Sequence, residues 1–252
     1  MLPHLFKEST MRLLSLIIAL LLAVPVLAAD YAREKKWAEE VLPAVLTGDP
    51  VWLELGNGHK YLTLYTEAAN AKAGVIVVHG MGVHPDWGLI APLRQRLPDM
   101  GYATLSVQMP VLKAEAKGED YPATFDEAAE RLAHAVAFMK AKGYKKIVLV
   151  THSMGCRMTA RYLEKNPGAD VAAWVAIGAP ASLDYSKLKI PVFDLYGEND
   201  LPAVLEGVKA RAKGLSGNKK SAQSMAPKAD HFFEGKDEQL LVLVKDFLDK
   251  AL

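Results

Sequence analysis

Lys146-Ile147-Val148-Leu149-Val150-Thr151-His152-Ser153-Met154-Gly155 decides the reading of this chain. The apolar run Lys146–Val150 has the character of a buried strand, and the segment from Cys156 to Lys165 has the composition of a helix. A strand, a sharp turn with a central serine and a helix together make an elbow. Such a turn forces the serine into a strained conformation and lifts its hydroxyl clear of the carboxyl end of a sheet, with a helix N-terminus beneath it. The backbone N–H of Met154 then points to where negative charge develops during acyl transfer. The positions two before and two after the serine come close together and call for small residues. Gly155 meets that demand, and Thr151 stands where glycine is usual, a compact β-branched variant. The plainer alternative is an ordinary strand-to-helix connection with Ser153 as N-cap.

The chain of 252 residues suits one large domain. Leu13–Ala28 is an uninterrupted apolar run preceded by Arg12 and ending in small residues, which predicts a signal peptide over residues 1–28 cleaved after Ala28 or Ala29. Met11 would give this signal a more compact start than Met1. The rival reading is an uncleaved anchor, but the run is shorter than the roughly 20 residues a spanning helix needs. No cysteine follows the cleavage region to carry a lipid. The expectation is therefore a periplasmic or secreted domain over residues 29–252, without a stable membrane anchor. Removing residues 1–28 takes away Lys7, Glu8 and Arg12, which leaves acidic and basic residues balanced. No basic stripe with interleaved aromatics is present, so no nucleic-acid partner is expected. Cys156 is the single cysteine, so no internal disulfide forms. It is expected to pack against the sheet, with a catalytic thiol as the alternative.

Downstream of residue 29 a helix is predicted over Asp30–Leu46, with Trp37, Val41, Leu42 and Val45 on one side. A hairpin follows, with strands Val51–Leu55 and Lys60–Tyr65 about the Asn57-Gly58 turn. Further strands are predicted at 74–79, 103–108, 146–150, 171–177, 190–196 and 221–225. The helices between and after them are predicted at 87–97, 125–142, 156–165, 201–213 and 236–252. Thr124 and Glu127 read as a capping box at the start of the helix whose apolar positions are Phe125, Ala128, Leu132, Val136 and Met139. A hairpin followed by alternating strands and helices implies a mostly parallel sheet with helices on both faces.

A serine nucleophile needs a base, an acid to orient the base, and donors for the oxyanion. His231 is the single histidine after Ser153 and follows the last predicted strand. Asp200 follows the strand 190–196 within Gly197-Glu198-Asn199-Asp200 and is the first choice for the acid. Glu198 and Asp194 are the alternatives, Asp194 reading better as a buried structural residue inside its strand. The run Val75–Val78 leads into His79-Gly80-Met81-Gly82, whose Met81 N–H would join that of Met154 as oxyanion donor. His79, His84 and Asp86 are ligand types, but their spacing completes no metal site. His152 is read as packing against neighbouring loops.

With these motifs placed in order, the chain resembles the α/β-hydrolase superfamily over about Val51 to Leu252. That resemblance implies an eight-stranded sheet, a Ser153–His231–Asp200 triad and no cofactor. It leaves the substrate open. Only Gly178–Lys189 separates two predicted strands where many relatives insert a lid, so no lid domain is expected. An open pocket should lie near Met81, Val83, Met109, Met154, Leu201 and Phe232, overhung by the charged loop Val111–Ala123. An apolar wall under a charged rim suits a small-molecule ester of a short or medium acyl chain. The expected activity is that of a serine carboxylesterase. The alternatives are an acyltransferase using the same triad, and a catalytically idle binding or envelope protein.

Overall fold

The computed structural model describes residues 29–252; the predicted signal peptide lies outside them. Eight strands form one sheet: β1 (Asp49–Glu54), β2 (Lys60–Thr66), β3 (Ala73–Val78), β4 (Tyr102–Val107), β5 (Ile147–His152), β6 (Ala173–Ile177), β7 (Val192–Asn199) and β8 (Ala222–Asp230). Their spatial order is β1-β2-β4-β3-β5-β6-β7-β8. The β1–β2 and β2–β4 pairings are antiparallel and all the others are parallel.

The helices are α1 (Tyr31–Val41), α2 (Ile90–Arg96), α3 (Phe125–Ala141), α4 (Met154–Lys165), the short α5 (Pro202–Leu205), α6 (Val208–Leu215) and α7 (Asp237–Ala251). Strands covered on both faces carry unbroken apolar runs whose alternate residues serve opposite cores. Ile76, Val78, Ile147 and Leu149 pack with Leu132 and Met139 of α3 and Met158 of α4. Val75, Val77, Val148 and Val150 pack with Leu93 of α2 and with Leu240, Val244 and Leu248 of α7. Ala38 and Val41 of α1 rest on Leu62 and Leu64 of β2. Among the described residues no helix is long and apolar enough to cross a membrane.

The α3 N-terminus departs from the capping-box reading. A 3-10 turn, Tyr121–Thr124, runs straight into α3, so the Thr124 backbone is already helical and makes no side-chain cap. Its hydroxyl instead donates to the Tyr121 carbonyl at 2.8 Å. Glu127 is drawn sideways to Arg131 and to the Tyr31 hydroxyl. The segment expected as one helix over 201–213 is split into α5 and α6, where the Gly207 backbone packs against Ala181. Among the described residues no element is inserted between β6 and β7, where a lid domain would stand.

Candidate active site

The elbow forms where β5 meets α4. Ser153 has φ 53 and ψ −119, a backbone conformation that costs a non-glycine residue about 1–3 kcal/mol. Two neighbours hold it there. The Ser153 N–H donates to the Ile177 carbonyl of β6 at 2.9 Å, and Gly155 lets the helix approach β3, since a Cβ there would lie 2.6 Å from the His79 carbonyl oxygen. Thr151 is fully buried and its hydroxyl is put to use. It accepts from the Trp174 indole N–H at 2.8 Å and donates to Cys156 Sγ at 3.2 Å. Burial pushes the Cys156 thiol up to about 12, which removes the thiolate a nucleophile would need.

The structure brings the three side chains chosen from the sequence into one chain of contacts. Ser153 Oγ lies 3.0 Å from His231 Nε2, and His231 Nδ1 lies 2.6 Å from Asp200 Oδ1. His231 follows directly after β8 and Asp200 directly after β7, so parallel strands deliver both to the edge where β5 delivers the serine. Burial acts to raise the Asp200 carboxyl. The hydrogen bonds from His231 and from the N–H groups of Gly197 and Leu201 outweigh it and leave the group below its ordinary value. Asp200 is therefore an anion aimed at the imidazole, fixing which ring nitrogen carries the proton.

Glu198 is turned away and accepts from the Lys228 N–H at 2.8 Å. Asp194 is buried and structural, held by Arg211 Nε at 3.0 Å, the Tyr185 hydroxyl at 3.0 Å and Gln223 Nε2 at 2.7 Å. Gly80 lies against the side chains of His152 and Ser153, so the Gly80–Met81 segment runs beside the serine. Among the described residues neither the Met81 nor the Met154 N–H donates a hydrogen bond to the protein.

His152 does more than fill space. Its Nε2–H donates to the His231 carbonyl at 2.9 Å, anchoring the loop that carries His231. Burial pushes it down to about 3, so it stays neutral. His79 is also buried and pushed down to about 3, with its Nε2 accepting from the Met109 N–H at 2.9 Å. His84 accepts from the Asp86 N–H, and Asp86 pairs with Arg94. Among the described residues no group of three or more His, Cys, Asp or Glu side chains is arranged to hold a metal ion.

The rim matches the expected one in part. Met81, Leu201 and Phe232 are exposed, and Gly118 of the charged loop comes within reach of the Met154 and Met81 side chains. Met109 is not at the rim: its backbone is tied to His79 and its side chain is fully buried in the core. Two residues were missed. Trp87 packs edge-on to Phe232 at 5.5 Å and extends the apolar rim. Gly178 must lack a side chain because a Cβ there would lie 2.9 Å from the His231 ring. Its position directly after β6, beside the strand of the elbow, was the available signal.

A mostly parallel eight-stranded sheet with a serine elbow, and with an acid and a histidine on the loops after β7 and β8, is the α/β-hydrolase fold. Within it the chain belongs to the family described as "Protein of unknown function (DUF3530)", whose model matches residues 11–129 and 112–250. The comparison with curated proteins gives no match. Among solved structures, the chain is similar to a protein of unknown function from Agrobacterium tumefaciens described as a putative α/β hydrolase. Identity is 19%, the TM-score is 0.63, and the match covers 80% of this chain and 95% of that one. It is similar to an esterase from Pyrococcus furiosus, with 17% identity, TM-score 0.62 and coverage of 81% and 90%. It is similar also to a serine hydrolase without lid from Xanthomonas campestris, with 15% identity, TM-score 0.61 and coverage of 82% and 96%. At these identities the likeness carries the fold, and function has to be argued from the site.

Proposed function

We propose that this protein is an exported serine hydrolase, a carboxylesterase acting on short or medium acyl esters. The observation that carries the reading is the unbroken Ser153–His231–Asp200 contact chain, with distances of 3.0 and 2.6 Å. In the proposed cycle His231 Nε2 takes the Ser153 hydroxyl proton as Oγ attacks the ester carbonyl carbon. The oxygen that gains the electron pair is received by the N–H groups of Met81 and Met154, each worth about 3 kcal/mol of barrier lowering. Collapse expels the alcohol, which takes the proton from His231, and leaves an acyl group on Ser153. Water, deprotonated by His231, then releases the acid and restores the serine.

Several features support the ester substrate. The rim residues Met81, Trp87, Leu201 and Phe232 offer apolar surface to an acyl chain, and the missing lid leaves the approach open. One of the similar solved structures is described as an esterase. The Leu13–Ala28 run and the small residues after it support export. The test is a fluorophosphonate probe on the purified protein, with the adduct mapped by mass spectrometry and Ser153→Ala as control. Labelling confined to Ser153 is the expected result. A folded protein that takes no label would overturn the hydrolase reading in favour of an idle fold used for binding.

A further inference from the structure

The segment carrying the Met81 N–H runs from Gly80 to Asp86 without strand or helix. Side chains hold its carbonyls at intervals. The Gly80 carbonyl lies 2.8 Å from His79 Nδ1, the Val83 carbonyl accepts from Gln108 Nε2 at 3.4 Å, and the Pro85 carbonyl accepts from Ser106 Oγ at 2.6 Å. Those donors sit at the ends of β3 and β4 and belong to the sheet. The remaining donor does not. The Gly82 carbonyl, one residue past Met81, accepts from Arg33 Nη2 at 3.1 Å, and Arg33 comes from α1, outside the sheet.

The same guanidinium reaches a second loop. Arg33 Nη1 donates to the Leu112 carbonyl at 2.7 Å, at the root of the charged loop that passes over Met154 and Met81. The guanidinium is itself held in place. It lies over the Trp37 ring at 4.4 Å, and the Arg33 backbone N–H is capped by Asp30 at 3.0 Å. The Tyr121 hydroxyl and Arg33 Nη2 converge on Gly82, 3.7 and 3.9 Å from where its Cβ would stand. A guanidinium is a planar fork of donors with fixed spacing, so one group can hold two carbonyls in a set relation. An ammonium is a compact charge that cannot reproduce the fork.

We propose that Arg33 is a positioning residue for the active site: by clamping Gly82 to Leu112 it fixes the Gly80–Gly82 backbone and so aims the Met81 N–H at the oxyanion. This rests on the reading of Ser153 as nucleophile and Met81 as oxyanion donor. The α1 helix is then a working part of the site, although it adds no atom to the reacting groups. An oxyanion donor matters in the transition state and little in substrate binding, so loss of its aim lowers kcat and spares KM.

The test uses the mature protein as wild type, Arg33→Ala and Arg33→Lys, with active sites titrated by the fluorophosphonate and turnover measured on p-nitrophenyl butyrate. In both variants kcat per titrated site is expected to fall on the order of 10- to 100-fold, as for a donor misplaced by about 1 Å. KM is expected to change by less than about threefold. Added methylguanidine should restore part of the Arg33→Ala rate and leave wild type unchanged. A merely structural role gives the opposite pattern: fewer titratable sites and a lower Tm, with unchanged kcat per site and no rescue. That result overturns the proposal, as does wild-type kcat in Arg33→Lys, which keeps charge and stem and so remains readable should Arg33→Ala not fold. Wild type that takes no label removes the nucleophile reading itself, and the role of Arg33 goes with it; the two failures are thus told apart.

Discussion

Asp194 and Asp200 belong to one strand and the loop that follows it, both are buried, and they do different work. Asp194 meets the Arg211 guanidinium, the Tyr185 hydroxyl and the Gln223 amide, all of them donors that hold it in place. The cluster is a rivet between β7, α6 and β8. Asp200 meets two backbone N–H groups and an imidazole. The imidazole can gain and lose a proton, and its other nitrogen faces Ser153. On the proposed function, a buried carboxylate serves the chemistry or fastens the fold according to the partner it is given.

The comparison is broken most forcefully at Asp200. Asp200→Asn keeps the shape and removes the charge that sets the imidazole tautomer, so kcat should fall by about 10⁴-fold while the protein stays folded. Ester hydrolysis rates set beside a thermal melt check both halves, and a Tm collapse with normal turnover would reverse the assignment. Asp194→Asn should do the converse. It leaves Arg211 buried without its counter-charge, at a cost of about 3–5 kcal/mol in urea unfolding, with kcat per folded molecule retained.

A pH slope tests the same contrast without any substitution. His79 and His152 are held neutral at about 3, below the roughly 6.5 of an unfolded histidine. Depressed values mean that their contribution is complete above about pH 6.5 and is lost as pH falls toward 3, at up to ~1.4 kcal/mol per pH unit for each group. The Asp200 carboxyl is also depressed, so its contribution holds above its ordinary value and goes only below it. Urea midpoints at pH 7.5, 5.5 and 4.5 should therefore decline before Asp200 titrates. His152→Gln keeps a donor for the His231 carbonyl and should flatten that decline; an unchanged slope would remove His152 from the account.

What could be read from the sequence follows from how local the cause is. The Asn57-Gly58 hairpin and the unbroken apolar strands depend on neighbours in the chain, and they stand where the pattern put them. The convergence of Ser153, Asp200 and His231 was equally legible, because each follows a strand that parallel pairing carries to the same edge. The α1 side of the site was not. Glu34, Glu127 and Arg131 look like solvent-facing charges on amphipathic helices, yet Arg131 is fully buried between the two carboxylates. A contact between residues so far apart in the chain has no local signature, and the same holds for Arg33. The last strand was expected over 221–225 and runs over Ala222–Asp230, an edge strand that accommodates Pro227.

The distance along the chain between Ser153 and His231 carries a consequence for the history of each molecule. Their contact spans 78 residues, and it requires β6, β7 and β8 all to stand in the sheet. Contacts of such long range form late, because the chain entropy of the intervening loop has to be given up before they return anything. A partly folded chain can hold the serine elbow but has no histidine to draw its proton. On the proposed function, a chain whose last strand is not yet home would be silent toward esters, and turnover would report that the β8 loop has docked.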